Sequence, residues 1–249
     1  MNWNIRRFVP VVLLCVAWAA GAFGGEIQEG VDRYCISATQ EHHFSGTVLV
    51  AVDGEVVLKK GYGLASQALE VPNRADTRYR IASLTKSFTA MAVMLLEQAG
   101  RLNTDWKVSR VLPGFHRGER ITIHQLLTHT SGLPDHTELA SFQTDRRVYA
   151  TPVSRVFQEI RETELEFEPG SRFKYSNTGY LVLGEIIAKI SGLTYADFVQ
   201  QNILDVLNME HSGGLIRGEV VPGMATGYTL EKDRIREAPY RDLVNAQAS

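Results

Sequence analysis

Residues 80–90 read RIASLTKSFTA, which places Ser83 and Lys86 one helical turn apart at the head of an apolar segment. Apolar side chains then recur at helical spacing, at Leu84, Phe88, Met91 and Leu95. Other apolar residues fill the remaining faces. The pattern predicts a helix that is apolar almost all round and therefore buried, with Gly100 as its stop.

The residues before this helix have the pattern of a sheet. Ser45–Val52 is rich in β-branched residues, Asp53-Gly54 is a hairpin turn signal, and Glu55–Lys60 reads as the returning strand. We expect a third strand at Arg78–Ala82 and a short helix at Glu26–Gln40. The chain is therefore expected to begin with a helix and an antiparallel sheet.

The residues after Gly100 are mainly helical in pattern. Helices are predicted at Ile123–His129, Val153–Glu162, Thr178–Ser191 and Tyr195–Leu207. Loops marked by glycine and proline separate them. The predicted fold class is α/β (α+β): an antiparallel sheet flanked by helices, plus an all-helical region.

The composition limits what the chain can be. With 44% hydrophobic and 22% charged residues and a net charge of -2, it is typical of a soluble globular protein. A nucleic-acid surface needs a basic stripe, which is missing, so no nucleic-acid partner is expected. The sequence contains no P-loop and no complete dinucleotide-binding motif, so no cofactor is expected either.

The first 25 residues have the layout of a secretory signal peptide. Arg6 and Arg7 precede an uncharged stretch, Phe8–Gly25, which ends in small residues. The alternative is an uncleaved membrane anchor, because 18 uncharged residues could just span a bilayer. We expect residues 1–25 to be a signal peptide and residues 26–249 to form one domain, periplasmic or secreted. Contact with a membrane is expected only through an uncleaved segment. Cleavage would leave Cys35 as a lone, buried thiol.

The Ser83–Lys86 pair has two possible roles. A serine at the positive end of a buried helix, beside a lysine whose charged form is disfavoured by burial, can be activated as a nucleophile. Alternatively, Ser83 is a helix N-cap and Lys86 is solvated. The spacing alone does not decide, because Ser171–Lys174 has it too, although without such a helix.

Tyr175-Ser176-Asn177 lies between a Pro-Gly loop and a predicted helix. A tyrosine there can relay a proton and an asparagine amide can bind a substrate carbonyl, whereas Asn177 could also be a simple N-cap. His129, Asp135 and His136 surround a turn and could in principle hold an ion. Packing or capping is the default interpretation of these histidines, and no metal site is predicted.

Taken in order, Ser83-Leu-Thr-Lys86, Leu126-Leu-Thr-His-Thr-Ser-Gly-Leu-Pro-Asp135 and Tyr175-Ser-Asn177 resemble the serine β-lactamase-related hydrolases. That group includes class C β-lactamases, D-alanyl-D-alanine carboxypeptidases and family VIII esterases. The resemblance implies a β-lactamase/transpeptidase-like fold and a small-molecule or peptidoglycan-type peptide substrate. It also implies catalytic roles for Ser83 (nucleophile), Lys86 (base) and Tyr175 (proton shuttle), and substrate binding by Asn177. The segment 126–135 is expected to form a wall of the site, with no chemical role for His129.

The chain departs from this family in one motif. The family has a late strand motif, Lys/His-Thr/Ser/x-Gly, and His211-Ser212-Gly213 fits it only in letters because it follows a helix too soon after Tyr175. We therefore expect a product truncated at its C-terminus, with the C-terminal strands missing.

Three interpretations remain. In the first, the chain is a secreted serine hydrolase that acts on an ester, amide or β-lactam bond, with the departure favouring an esterase or D-amino-acid peptidase over a dedicated β-lactamase. In the second, it is a non-catalytic penicillin-binding-like module that contacts the cell wall or a partner. In the third, it is an unrelated α/β protein in which Ser83 and Tyr175 lie far apart.

Overall fold

The computed structural model describes residues 9–139, 153–214, 220–232 and 234–238. The described residues divide into two compact units: one runs up to Tyr79 and also includes Val221–Ala238, and the other is Arg80–Val220. The helices are α1 (Val9–His42), α2 (Thr85–Gln98), α3 (Val108–Val111), α4 (Ile123–Leu127), α5 (Val153–Ile160), α6 (Asn177–Ser191) and α7 (Tyr195–Val199). The strands are β1 (Gly46–Val52), β2 (Glu55–Tyr62), β3 (Leu64–Ser66), β4 (Val71–Pro72), β5 (Tyr228–Glu231) and β6 (Arg234–Glu237).

The first unit is built on an antiparallel hairpin. Strands β1 and β2 pair around Asp53 and Gly54, which both have positive φ angles (51° and 86°), so the predicted hairpin is confirmed. Helix α1 is linked to β2 through Asp32, which accepts hydrogen bonds from Lys60 Nζ (2.8 Å) and the Tyr62 hydroxyl (2.7 Å). The β3–β4 and β5–β6 pairs are also antiparallel. The class of fold, small antiparallel sheets combined with helices, is as predicted.

Two expectations for this region are wrong. Residues 78–82 do not form a strand: Arg78 makes a single bridge to Met224, and Ala82 begins a 3₁₀ turn with a φ of +45°. A residue with a left-handed backbone cannot continue a strand. Helix α1 is also far longer than the predicted Glu26–Gln40, because it already begins at Val9.

Two predicted features extend beyond the described residues. Residues 1–8 of the predicted signal segment and the C-terminal residues 239–249 lie outside them. Within the part of the chain that the structure describes, no helix combines the length and the apolar composition that crossing a membrane requires.

The second unit is mainly helical, and its helices pack around an apolar core. Helix α2 buries one face, formed by Lys86, Thr89, Ala92, Val93 and Leu96. Met91 and Met94 remain 52% and 41% exposed, so the prediction of burial all round is wrong. Helix α6 is the most buried, with Val182, Leu183, Ile186 and Ile187 fully inaccessible. The four helices predicted after Gly100 are present with ends shifted by a few residues, and α7 continues into a π-helical turn at Gln200–Leu204.

A glycine allows the segment after α4 to lie against residues 166 and 167. Gly132 has a φ of +77°, and a Cβ on it would lie 2.3 Å from the backbone oxygen of Phe167. The Gly132 carbonyl also accepts a hydrogen bond from the Glu166 amide (2.9 Å), which holds the two segments together. A side chain at position 132 would therefore have to separate two backbone segments.

Gly132→Ala is expected to lower the free energy of unfolding by roughly 2–4 kcal/mol, the sum of a left-handed backbone penalty and a steric clash. Gly192→Ala is the matched control, because Gly192 also has a positive φ (79°) but a Cβ on it would meet no atom within 4 Å. Its expected loss is only about 1 kcal/mol. Urea unfolding followed by circular dichroism measures both, and equal losses would contradict the steric explanation.

Candidate active site

Ser83 lies in the 3₁₀ turn Ala82–Leu84, immediately before α2, and its side chain is exposed. Its Oγ is 2.8 Å from the hydroxyl oxygen of Tyr175 and accepts a hydrogen bond of 3.3 Å from Lys86 Nζ. The N-cap position of α2 is Leu84, which makes no side-chain cap. Ser83 is therefore not a capping residue, and its hydroxyl is held between two groups that can exchange protons.

Lys86 is buried on α2, with only 8% of the residue exposed. Its Nζ donates to Asn177 Oδ1 over 2.8 Å and lies 4.9 Å and 5.3 Å from the ring centroids of Tyr175 and Tyr180. The alternative of a solvated lysine is therefore wrong. These polar and aromatic contacts are all to uncharged side chains.

Helix α6 begins one residue after its cap. Ser176 is the N-cap, and its Oγ accepts a hydrogen bond from the Gly179 amide (3.4 Å). The alternative role of Asn177 as an N-cap is therefore wrong. Since Asn177 is the first helical residue, its side chain is available to link Lys86 with Asp135, whose Oδ2 accepts from Asn177 Nδ2 over 2.8 Å. Both ends of this amide thus have protein partners, in addition to any substrate that it could bind.

Asp135 belongs to the segment 126–135 and is only 5% exposed. The sequence suggested for it only a potential role as a metal ligand, together with His129 and His136. His136 Nδ1 does lie 3.8 Å from Asp135 Oδ1. Across the described ranges, however, no group of three or more His, Cys, Asp or Glu side chains has an arrangement suited to a metal ion.

His129 stacks on the ring of Tyr175, with ring centroids 4.6 Å apart. Its Nδ1 accepts a hydrogen bond from the Ser176 amide (3.2 Å), which places the ring proton of the neutral form on Nε2. Partial burial, followed by the nearby charge of Lys86, lowers the pKa of His129 below the ordinary value of 6.5. The fold therefore loses stability through this group as the pH falls below about 6.5. His129 therefore packs directly against Tyr175, a contact that the sequence did not indicate.

The second serine–lysine pair lies in a different environment. Lys174 Nζ is paired with Glu166 (2.7 Å) and Glu138 (3.2 Å), and these hydrogen bonds raise its pKa. An ammonium held in this way cannot take a proton from Ser171. The residues His211–Gly213 lie in a turn and loop after the π-helical turn, not in a strand. Neither alternative motif has the setting of Ser83 and Lys86.

Comparison with known proteins identifies the family of this chain. Residues 27–248 match the Beta-lactamase family. Penicillin-binding protein 4* of Bacillus subtilis (strain 168) is 40% identical over 166 residues, which are 66% of this chain and 36% of that protein. The chain spans less than half the length of this relative and of protein flp from Staphylococcus aureus.

Solved structures show the same fold. The penicillin binding protein from Bacillus halodurans superposes with a TM-score of 0.71 at 29% identity, covering 82% of this chain and 63% of that one. The D-amino acid amidase from Ochrobactrum anthropi SV3, crystallised with L-phenylalanine amide, gives a TM-score of 0.76 at 25% identity. That match covers 89% of this chain and 65% of the amidase.

Proposed function

This chain belongs to the Beta-lactamase family of serine hydrolases, and we propose that it acts through an acyl-enzyme formed on Ser83. Support comes from three atoms that can exchange protons. Ser83 Oγ lies 2.8 Å from Tyr175 Oη and 3.3 Å from Lys86 Nζ. Ser83 and Tyr175 are 92 residues apart in sequence, so this contact also argues against the interpretation as an unrelated α/β protein.

In the proposed acylation, neutral Lys86 takes the hydroxyl proton of Ser83 while Oγ forms a bond to the substrate carbonyl carbon. The bond from that carbon to the leaving nitrogen or oxygen then breaks. The leaving atom takes a proton from the Tyr175 hydroxyl, and the proton held on Lys86 returns to the tyrosine oxygen. The exposed hydroxyl of Ser83 and the buried amine of Lys86 fit these roles, because the nucleophile must reach substrate while the base stays away from water.

In the proposed deacylation, water attacks the acyl carbon and the same groups work in reverse. Tyr175 passes its own proton to neutral Lys86 while it accepts one from the attacking water, the carbon–Oγ bond breaks, and the proton held on Lys86 goes to Ser83 Oγ. Tyr175 is 40% exposed, so its hydroxyl can contact both Ser83 and an incoming water. No metal or cofactor takes part in this scheme.

The proposed substrate is a small molecule or a peptidoglycan-type peptide with an ester, amide or β-lactam bond. Similarity to a D-amino acid amidase favours an amide among these three bonds. The proposed location is the periplasm or the outside of the cell, on the basis of Arg6 and Arg7 followed by the uncharged segment 8–25. Peptidoglycan-type substrates are located in the same compartment.

A substrate panel tests the proposal. p-Nitrophenyl esters, a D-Ala-D-Ala peptide and nitrocefin are each mixed with the chain in a stopped-flow instrument. We expect turnover of at least one of them, with a pre-steady-state burst of product that approaches one equivalent per chain if acylation is faster than deacylation. Saturable binding without release of product from any of them would instead support a non-catalytic binding module.

A further inference from the structure

Asp135 is a buried carboxylate to which the proposed reaction assigns no step. Its Oδ1 accepts hydrogen bonds from the amide and the hydroxyl of Thr137, both at 2.9 Å. Its Oδ2 accepts from the backbone amide (3.2 Å) and the side-chain Nδ2 (2.8 Å) of Asn177. All four hydrogen bonds are donated to the carboxylate, so both of its oxygens act as acceptors.

A carboxylate that accepts hydrogen bonds at both oxygens determines how the Asn177 amide is oriented. The two ends of an asparagine amide have nearly the same shape, and their neighbours decide which one is the donor. Because Asp135 can only accept, Nδ2 must face it, and Oδ1 must face Lys86. The 2.8 Å contact from Lys86 Nζ to Asn177 Oδ1 has this polarity.

We infer that Asp135 is a positioning residue of the site, which acts on Lys86 through Asn177. A neutral amine has two hydrogens and one lone pair. If one hydrogen goes to Asn177 Oδ1, the lone pair remains available for the Ser83 hydroxyl. A reversed amide would present its NH₂ group to Lys86 and compete with Ser83 for that lone pair. This inference rests on the proposed function, since it concerns the ability of Lys86 to accept the proton of Ser83.

The backbone around Asp135 is held firmly. The Thr178 hydroxyl donates to the Pro134 carbonyl (2.7 Å) and accepts from the His136 amide (2.8 Å), so the residues on both sides are tied to α6. Thr178 is fully buried. The carboxylate and the amide that it orients are therefore joined to one helix terminus, as expected of a group that fixes an orientation.

Several titratable side chains surround Lys86 and Asp135. His129 and the rings of Tyr175 and Tyr180 lie near Lys86, and His136 lies beside Asp135. None of these groups carries a fixed negative charge at neutral pH. Asp135 is thus the carboxylate that these contacts bring to Lys86, through one intervening amide.

The first test is a double-mutant cycle in the intact chain with its best substrate. Asp135→Asn is expected to lower kcat/KM roughly 10–100-fold, the usual range for a group that orients a ligand or base. In an Asn177→Ala background the same change is expected to cost less than about threefold, because the amide through which Asp135 acts is gone. Equal losses in both backgrounds would overturn the inference.

The second test exchanges the carboxylate and the amide between positions 135 and 177. Asp135→Asn combined with Asn177→Asp retains one carboxylate and one amide at the pair, so the fold should survive even if the single variant does not. Its carboxylate now faces Lys86 directly. We expect a melting temperature near that of the parent, kcat/KM about 100-fold lower, and an acid limb of the kcat/KM profile at higher pH.

The single Asp135→Asn variant should move that limb to lower pH, because it removes the negative charge. A role in folding alone would leave the limb of this single variant in place, and that result would refute the inference. Failure of the proposed function gives a different result. In that case no substrate is turned over, or Ser83→Ala retains the parent's kcat/KM, whatever the Asp135 variants show.

Discussion

Ser83→Ala is expected to lower kcat/KM by about 10⁴-fold or more, because no acyl-enzyme can form without the hydroxyl. The loss should be in turnover and not in folding. Ser83 is exposed and caps no helix, so alanine there should leave the melting temperature close to that of the parent. Steady-state hydrolysis of the best substrate from the panel, together with a thermal melt, measures both quantities.

Ser171→Ala is the matched control for this variant. Ser171 starts the second serine–lysine pair, whose lysine is bound by two carboxylates. A surface change of this kind is expected to alter kcat/KM by no more than about twofold. If Ser171→Ala removed activity while Ser83→Ala retained it, the assignment of the nucleophile would be reversed.

Lys86→Met is expected to lower kcat/KM roughly 10³-fold, within the range of removing a general base. Methionine is unbranched and fills a similar volume among buried neighbours, so the fold should be retained. The variant loses the hydrogen bonds of Nζ to Ser83 Oγ and to Asn177 Oδ1. The deficit should appear mainly in the rate of acylation, measured as the burst rate in stopped-flow experiments.

Lys174→Met is its matched control, since it removes an equally positive side chain from an exposed ion pair. Such pairs contribute little, and a change within about twofold is expected. A Lys86→Met chain that acylates at the rate of the parent would show that another group takes the proton of Ser83.

The serine–lysine pair could be found from the sequence because its geometry is local. Residues three apart on a helix lie on the same face, and the apolar spacing after Ser83 indicated that helix. The contact with Tyr175 joins residues 92 positions apart, and the sequence pointed to it only through the Tyr175–Asn177 pattern and the family resemblance. Strands β3 to β6 were missed because they have two to four residues each, too few to show an alternating pattern.

The roles of Asp135 and His129 were not predicted for a different reason. Both belong to the segment 126–135, but nothing in a linear sequence shows that Asp135 meets the first residue of α6. Likewise, the stacking of His129 on Tyr175 depends on how the loop and the helix pack. The turn into α2 was predicted as a strand because the positive φ of Ala82 leaves no mark in the residue type.

In the proposed reaction, Ser83 carries the acyl group. The most direct measurement is mass spectrometry of the chain, acid-quenched during turnover of a p-nitrophenyl ester and then digested with trypsin. Cleavage after Arg80 and Lys86 releases the peptide 81–86, IASLTK, in which Ser83 is the only serine. We expect this peptide to be heavier by the mass of the acyl group, with the added mass on Ser83. Acylation of the peptide 162–172, which contains Ser171, with an unmodified peptide 81–86 would contradict it.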